Sequence, residues 1–241
     1  MKKIIITFLF ILTSITTYAQ QNYFNVPSSD ITEKNKVFFQ HQINISTDVI
    51  QNNTTFDFGL GNNYEIGINI IGLNFEKQKN AYSFVTSNVA PYSPFIMINA
   101  QKKIALNEKF SLAAGFQQGI STSTTKKTGG YYYINNVYKN ETIGLKITSG
   151  IYYATNSFVG EGKRFYSNDG LGFHSGIEKS IIHRKIVFQS DFISGQHSLG
   201  ELVIGGAYFL TKDLILSGGY QIPTFNSLAN KAAVFELTYN P

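Results

Sequence analysis

Cysteine is absent from the 241 residues. That excludes a disulfide framework, a thiolate metal site and a lipid anchor built on a cysteine at a cleavage point. Charge is scarce, with Asp, Glu, Lys and Arg together only 15% of the chain. Beyond Ala19 no apolar run approaches the ~18 residues that a membrane-spanning helix needs. Motifs of catalysis are missing too. The four histidines, His41, His174, His183 and His197, stand in no HExxH or paired-histidine spacing, and there is no GxSxG elbow. The sequence therefore signals no metal, no cofactor and no catalytic residue. What is plentiful is Tyr (15), Phe (20) and Gly (21), together with Asn, Ser and Thr. That is a strand composition with turn residues.

The first nineteen residues have the three parts of a secretory signal peptide. Lys2 and Lys3 form a basic start, Ile4 to Leu12 an apolar stretch, and Thr13 to Ala19 a small, polar end with Thr17 and Ala19 at the cleavage positions. Cleavage after Ala19 is expected. The formal charge of +5 then drops to +3, because two of the twenty basic residues leave with the signal and all fifteen acidic ones stay. A surplus this small gives no argument for a nucleic-acid partner.

Residues 20–35 are mostly polar and aperiodic, and are read as a periplasmic leader, partly ordered at best. From Lys36 to Pro241 the chain falls into segments of about ten residues in which apolar and polar positions alternate, the signature of a membrane barrel. Phe56, Phe58 and Leu60 oppose Asp57, Gly59 and Gly61. Ile66, Ile68 and Ile70 oppose Glu65, Gly67 and Asn69, after which the phase breaks, as a bulge near Ile70–Ile71 would cause. Segment 201–210 is apolar on both faces and leaves its sides unassigned, and segment 130–138, built on Tyr131 to Tyr133, is unassigned too.

Alternation alone also fits a soluble sandwich, so the connections decide. Short turns at 61–64, 106–109, 139–142, 182–184 and 211–213 alternate with longer loops at 47–52, 76–92, 122–129, 155–170, 195–200 and 223–231. Short periplasmic turns opposite long extracellular loops are the pattern of outer-membrane barrels. The expected fold is an all-β, transmembrane, antiparallel up-and-down barrel of about twelve strands over 36–241. An even number of strands places both termini at the periplasmic side. The terminal amphipathic strand, Ala233 to Tyr239, is of the kind read by the barrel-assembly machinery, although Asn240 and Pro241 follow it.

The stretch Thr54 to Phe75 (TTFDFGLGNNYEIGINIIGLNF) resembles a hairpin that recurs in Bacteroidetes outer-membrane barrels. It is also similar to the transporter family named for a phenol-degradation pathway, through Gly59, Leu60, Glu65, Ile66 and Gly67. The resemblance implies a passive-transport role and covers about a quarter of the chain.

With the apolar face toward lipid, the inward face carries Asp57, Glu65, Lys103, Lys146, His174, Glu178, Asp191 and Glu236, joined by Asn99, Gln101, Gln117, Gln189 and Gln221. The eight ionisable residues are candidates for setting solute selectivity. Inward glycines make room in a bore of intermediate width. The loop 76–92 contains Phe84, Val85, Val89 and Ala90, and part of it is expected to fold inward as a constriction. In the loop 155–170, Lys163, Arg164, Phe165 and Tyr166 are candidates for contact with lipopolysaccharide or a sugar. Lipid and lipopolysaccharide are the expected partners, and the oligomeric state is open. Three functions follow: a narrow passive channel for small solutes; a non-conducting structural, adhesion or accessory barrel that binds a partner through its loops; and a barrel enzyme acting on lipid. The missing motifs count against the third, and no enzymatic activity is expected.

Overall fold

The computed structural model describes residues 22–79, 81–162, 170–183 and 185–241. The expected signal peptide and the quartet Lys163, Arg164, Phe165 and Tyr166 lie outside the described residues.

The described residues form thirteen strands and one short helix. In chain order they are β1 (Val37–Ile45), β2 (Val49–Gly61), β3 (Tyr64–Gln78), β4 (Ala81–Val85), β5 (Phe95–Ala105), β6 (Phe110–Ser121), β7 (Thr128–Asn140), β8 (Leu145–Ala154), α1 (Asn156–Val159), β9 (Leu171–Ile182), β10 (Ile186–Ile193), β11 (Glu201–Phe209), β12 (Leu214–Pro223) and β13 (Ala232–Tyr239). Each strand is antiparallel to its neighbours. β1 pairs with both β2 and β13, while β3 joins β2 to β5. The sheet thus closes into a ring of twelve strands, with β4 attached to the outer end of β3 alone. Closure leaves no long unpaired edge.

Local sequence accounts for the corners. The β2–β3 turn places Asn62 and Asn63 both at positive φ (51° and 59°), the left-handed conformation that asparagine tolerates best after glycine. A bulge interrupts β2–β3, where Ile71 and Gly72 together oppose Asn53. It lies one residue beyond the expected place. Gly72 takes φ +75°, and its N–H donates to Asn53 Oδ1 at 2.9 Å.

The barrel is inverted relative to a water-soluble protein. Phe56, Phe58, Leu60, Ile66, Ile68, Ile98 (62% exposed), Ile134 and Ile151 stand on the outer wall. Asp57, Gln101, Asn135, Lys146 and Thr148 are buried on the inner one. An apolar band of this extent is stable against hydrocarbon and costly against water. Burial also assigns the two segments left open by the sequence. Tyr131, Asn135 and Val137 of β7 and Glu201, Val203 and Ala207 of β11 are the buried, inward set, whereas Ile134, Ile204 and Tyr208 are outward.

Two loop expectations are corrected. The segment 47–52 is mostly strand: β2 begins at Val49 and pairs with β1 and β3 from its first residues, leaving a short turn closed by Ser46 on Val49. Within 76–92, Phe84 and Val85 do not fold inward. They belong to β4, whose backbone satisfies itself by continuing the ladder of β3. Val89 is exposed as well; only Tyr92, packed on the buried cluster, and the buried Ser93 turn inward, beside α1, whose Phe158 and Val159 are buried. Phe158 meets Phe95 edge to face at 5.4 Å.

Candidate functional site: the lumen and its leader

Residues 22–32 do not extend away from the barrel but lie inside it, while 33–36 are exposed. Tyr23 and Val26 are fully buried and Phe24 nearly so, at the centre of the lumen. The physical reason is that the inner wall offers both apolar sockets and unpaired polar groups that only another chain segment can satisfy.

The leader folds back on itself. Asn22 bridges Pro27, and Tyr23 N–H donates to the Val26 carbonyl at 3.0 Å, so Phe24 and Asn25 form the tip of a tight turn. Asp191 on β10 grips that tip. One of its oxygens, Oδ2, accepts the backbone N–H groups of Phe24 (3.0 Å), Asn25 (2.6 Å) and Val26 (2.8 Å). Three successive N–H groups around one anionic oxygen form a nest, and such charge-assisted bonds are stronger than neutral ones. Asn25 also donates to Glu201 at 2.6 Å.

The rings fit where side chains are missing. A Cβ at Gly176 would stand 2.3 Å from the Tyr23 ring, and one at Gly205 or Gly219 2.8 Å from the Phe24 ring. The inward glycines thus make room for the leader, and not only for solvent. Phe24 packs with Val203 and Val234; Tyr23 and Val26 pack with Tyr131, Tyr152, Phe95 and Ile193. The Tyr23 hydroxyl reaches Thr148 at 2.7 Å.

Further down, Asp30 forms an ion pair with Lys146 and a second with Lys103 at 3.3 Å. Asp30 belongs to the leader and not to a spanning strand. Burial raises its pKa, but Lys146, Lys103 and Lys139 outweigh that and hold it at about 2. Glu65 accepts both the N–H (2.7 Å) and the hydroxyl (3.1 Å) of Thr32. Asn135 donates to the Pro27 carbonyl and the Ser29 hydroxyl.

The eight ionisable candidates therefore divide. Glu65, Lys103, Lys146 and Asp191 bind the leader. Glu178 stands opposite Lys146 in the β8–β9 register. His174 lies between Tyr131 (Nδ1, 2.6 Å) and Asn135 (Nε2, 2.5 Å), so both ring nitrogens are engaged in holding the wall. Glu236 is buried beside Ser217 and Thr238. Asp57 accepts from Asn99 at 2.8 Å and borders open space. His197 is similarly held by the Tyr152 hydroxyl and the Leu199 N–H. His41 contacts Thr54 at 2.9 Å, and its other ring nitrogen meets no partner among the described residues. Sequence reasoning missed the leader's anchoring role, and with it Tyr23, Phe24, Val26 and Asp30.

The leader packs its rings on the wall formed by β7 to β11 and reaches β1, β3 and β5 only through polar contacts at Gln40, Gln42, Glu65, Gln101 and Lys103, so space is left between it and that side. Two adjoining cavities of about 120 and 280 Å³ run along β1, β2, β3 and β5. They share Asn25, Asn53, Ile71, Phe158 and Leu199.

Asp191→Asn is isosteric and removes the charge from the nest. Weakening hydrogen bonds to a charged group costs about 1.5–3 kcal/mol. The variant is expected to loosen the tip, read as faster chymotryptic cleavage at Tyr23 and Phe24 than in the parent. Equal cleavage would mean that the apolar sockets alone hold the leader.

With this geometry in hand, the chain can be set beside known proteins. Its fold is similar to that of the NanC porin, at a TM-score of 0.53 and 11% identity, over 85% of this chain and 98% of that one. Weaker likenesses are to outer membrane phospholipase A from Escherichia coli (TM-score 0.49, 10% identity, 85% and 89% covered) and to the Acinetobacter baumannii outer membrane protein Omp33 (0.44, 6%, 86% and 99%). No family model and no curated protein sequence matches the chain. At such identities the likeness concerns the barrel alone.

Proposed function

We propose that the chain is an outer-membrane protein, exported through a cleaved signal peptide, that lets small solutes pass by diffusion through a lumen narrowed by its own leader. The observation that carries this reading is the pair of adjoining cavities between the leader and strands β1, β2, β3 and β5. The outward apolar band supports insertion in a bilayer. Fold likeness to the NanC porin and the Bacteroidetes-like hairpin at Thr54 to Phe75, with its similarity to the phenol-degradation transporter family, point the same way. The terminal strand β13 closes the ring on β1 and is suited to recognition by the barrel-assembly machinery. Lys163 and Arg164 are proposed to meet lipopolysaccharide at the loop end.

The test is single-channel recording of the refolded protein, starting at Gln20, in planar bilayers. Small, steady, ohmic steps are expected. Silence from a protein that inserts and keeps its barrel fold would overturn the channel reading and turn attention to partners of the loops.

A further inference from the structure

We infer that the amide-lined wall bordering the two cavities is a selectivity surface for polyhydroxylated solutes of sugar size that carry no negative charge; this rests on the passive-passage reading above and names its substrate class.

The wall is built from carboxamides. Among the described residues that line the two cavities there is no lysine and no arginine, and Asn and Gln outnumber every other polar type. The amides hold one another in place. Asn99 Nδ2 donates to Asn69 Oδ1 at 2.7 Å and to Asp57 Oδ1 at 2.8 Å. Asn69 Nδ2 donates in turn to Gln117 Oε1 at 2.7 Å. A chain of this kind orients each member and leaves defined atoms over.

Those leftover atoms decide the chemistry. Gln117 is used only as an acceptor, so its amide N–H groups have no partner among the described residues. Asn53 is likewise used only through its oxygen, toward Gly72. Asn99 spends both N–H groups and keeps its carbonyl oxygen. Asp57 keeps its second carboxylate oxygen. The wall thus presents donors and acceptors in alternation toward a space that is also bordered by the apolar faces of Tyr133 and Phe158. A hydroxyl group both donates and accepts, so a sugar pairs with every one of these atoms. An anionic group can use only the donors and meets three carboxylates, Asp57, Glu65 and Glu201, with no cation among the described lining residues. Negative charge is therefore served worse than neutrality, and an apolar solute is served by none of it.

The experiment compares three six-carbon probes of similar size in an osmotic swelling assay. Liposomes containing the protein from Gln20 onward are placed in isosmotic glucose, sodium gluconate or glucosamine hydrochloride. Glucose is expected to enter faster than gluconate by about fivefold, the factor that one net hydrogen bond corresponds to, and glucosamine no slower than glucose. The paired change Gln117→Leu with Asn53→Leu keeps side-chain size and removes the leftover donors. It is expected to slow glucose by about the same factor per lost bond. Retained barrel mobility in cold detergent gels verifies folding, and Gln117→Lys, which puts a cation on the wall, is expected to admit gluconate. Entry of gluconate at the rate of glucose, in a protein that conducts, would overturn the assignment and leave the channel standing. Absence of both conductance and swelling would remove the channel itself, and this assignment with it.

Discussion

Deleting residues 22–35 is expected to raise single-channel conductance on the order of tenfold, because a twelve-stranded bore stands between barrels that side chains fill and barrels that carry open water channels. The argument rests on what fills the lumen. Tyr23, Phe24 and Val26 occupy its centre, against Tyr131, Tyr152, Val203 and Val234. Without them the bore is bounded by strand side chains, with three glycines, Gly176, Gly205 and Gly219, opposite the missing rings. The ring of strand pairs itself does not depend on the leader: β1 to β13 close through their own ladders, and the leader adds only a short bridge from Lys34 to Gly59. The shortened protein should therefore fold, with a lower melting temperature from the apolar surface that it uncovers. The readout is the step size in planar bilayers beside gel mobility of the folded barrel. An unchanged step from a folded, shortened protein would mean that the leader is not the element that limits flow.

How far this was readable beforehand differs between wall and leader. Strand positions follow from a period of two and from turn residues at regular spacing, both local properties of the sequence. Asp57, Glu65, Lys146 and Asp191 fall on the interior because any charge on the other face would lie in lipid. The leader is different. Its fifteen or so residues have no period, and its contacts reach strands from β1 to β12, so no local pattern encodes them. A trace was nevertheless present. The segment around Val203 is apolar on both faces, and an apolar inner face requires something apolar to cover it. Tyr23, Phe24 and Val26 are the apolar cluster of an otherwise polar leader, and Gly176, Gly205 and Gly219 are the matching spaces. The strand start at Val49 was hidden for another reason. Gln51, Asn52 and Asn53 have low strand propensity, yet Gln51 and Asn53 suit a lumen lined by amides.

The same leader changes what Lys146 is expected to do. As a free lumen charge, Lys146→Glu would invert local potential and shift ion selectivity at unchanged conductance. In the structure the ammonium is buried against Asp30, with Glu178 opposite in register. Replacing it with a carboxylate removes the partner of one buried anion and adds another beside two. Breaking a buried pair in this way costs about 3–5 kcal/mol. Lys103 remains near Asp30 at 3.3 Å, but it is the more exposed of the two lysines. The expected result is release of the leader: cleavage at Tyr23 and Phe24, and conductance that rises toward that of the protein lacking residues 22–35. Combining it with Asp30→Lys re-forms the pair in reverse and should restore at least part of the loss, a coupling that a double-mutant cycle measures directly. In the protein without the leader the same Lys146→Glu change has no pair to break, so only selectivity should move. A selectivity shift alone in the full-length protein, with no rescue by Asp30→Lys, would assign Lys146 to the solute path instead of to the leader.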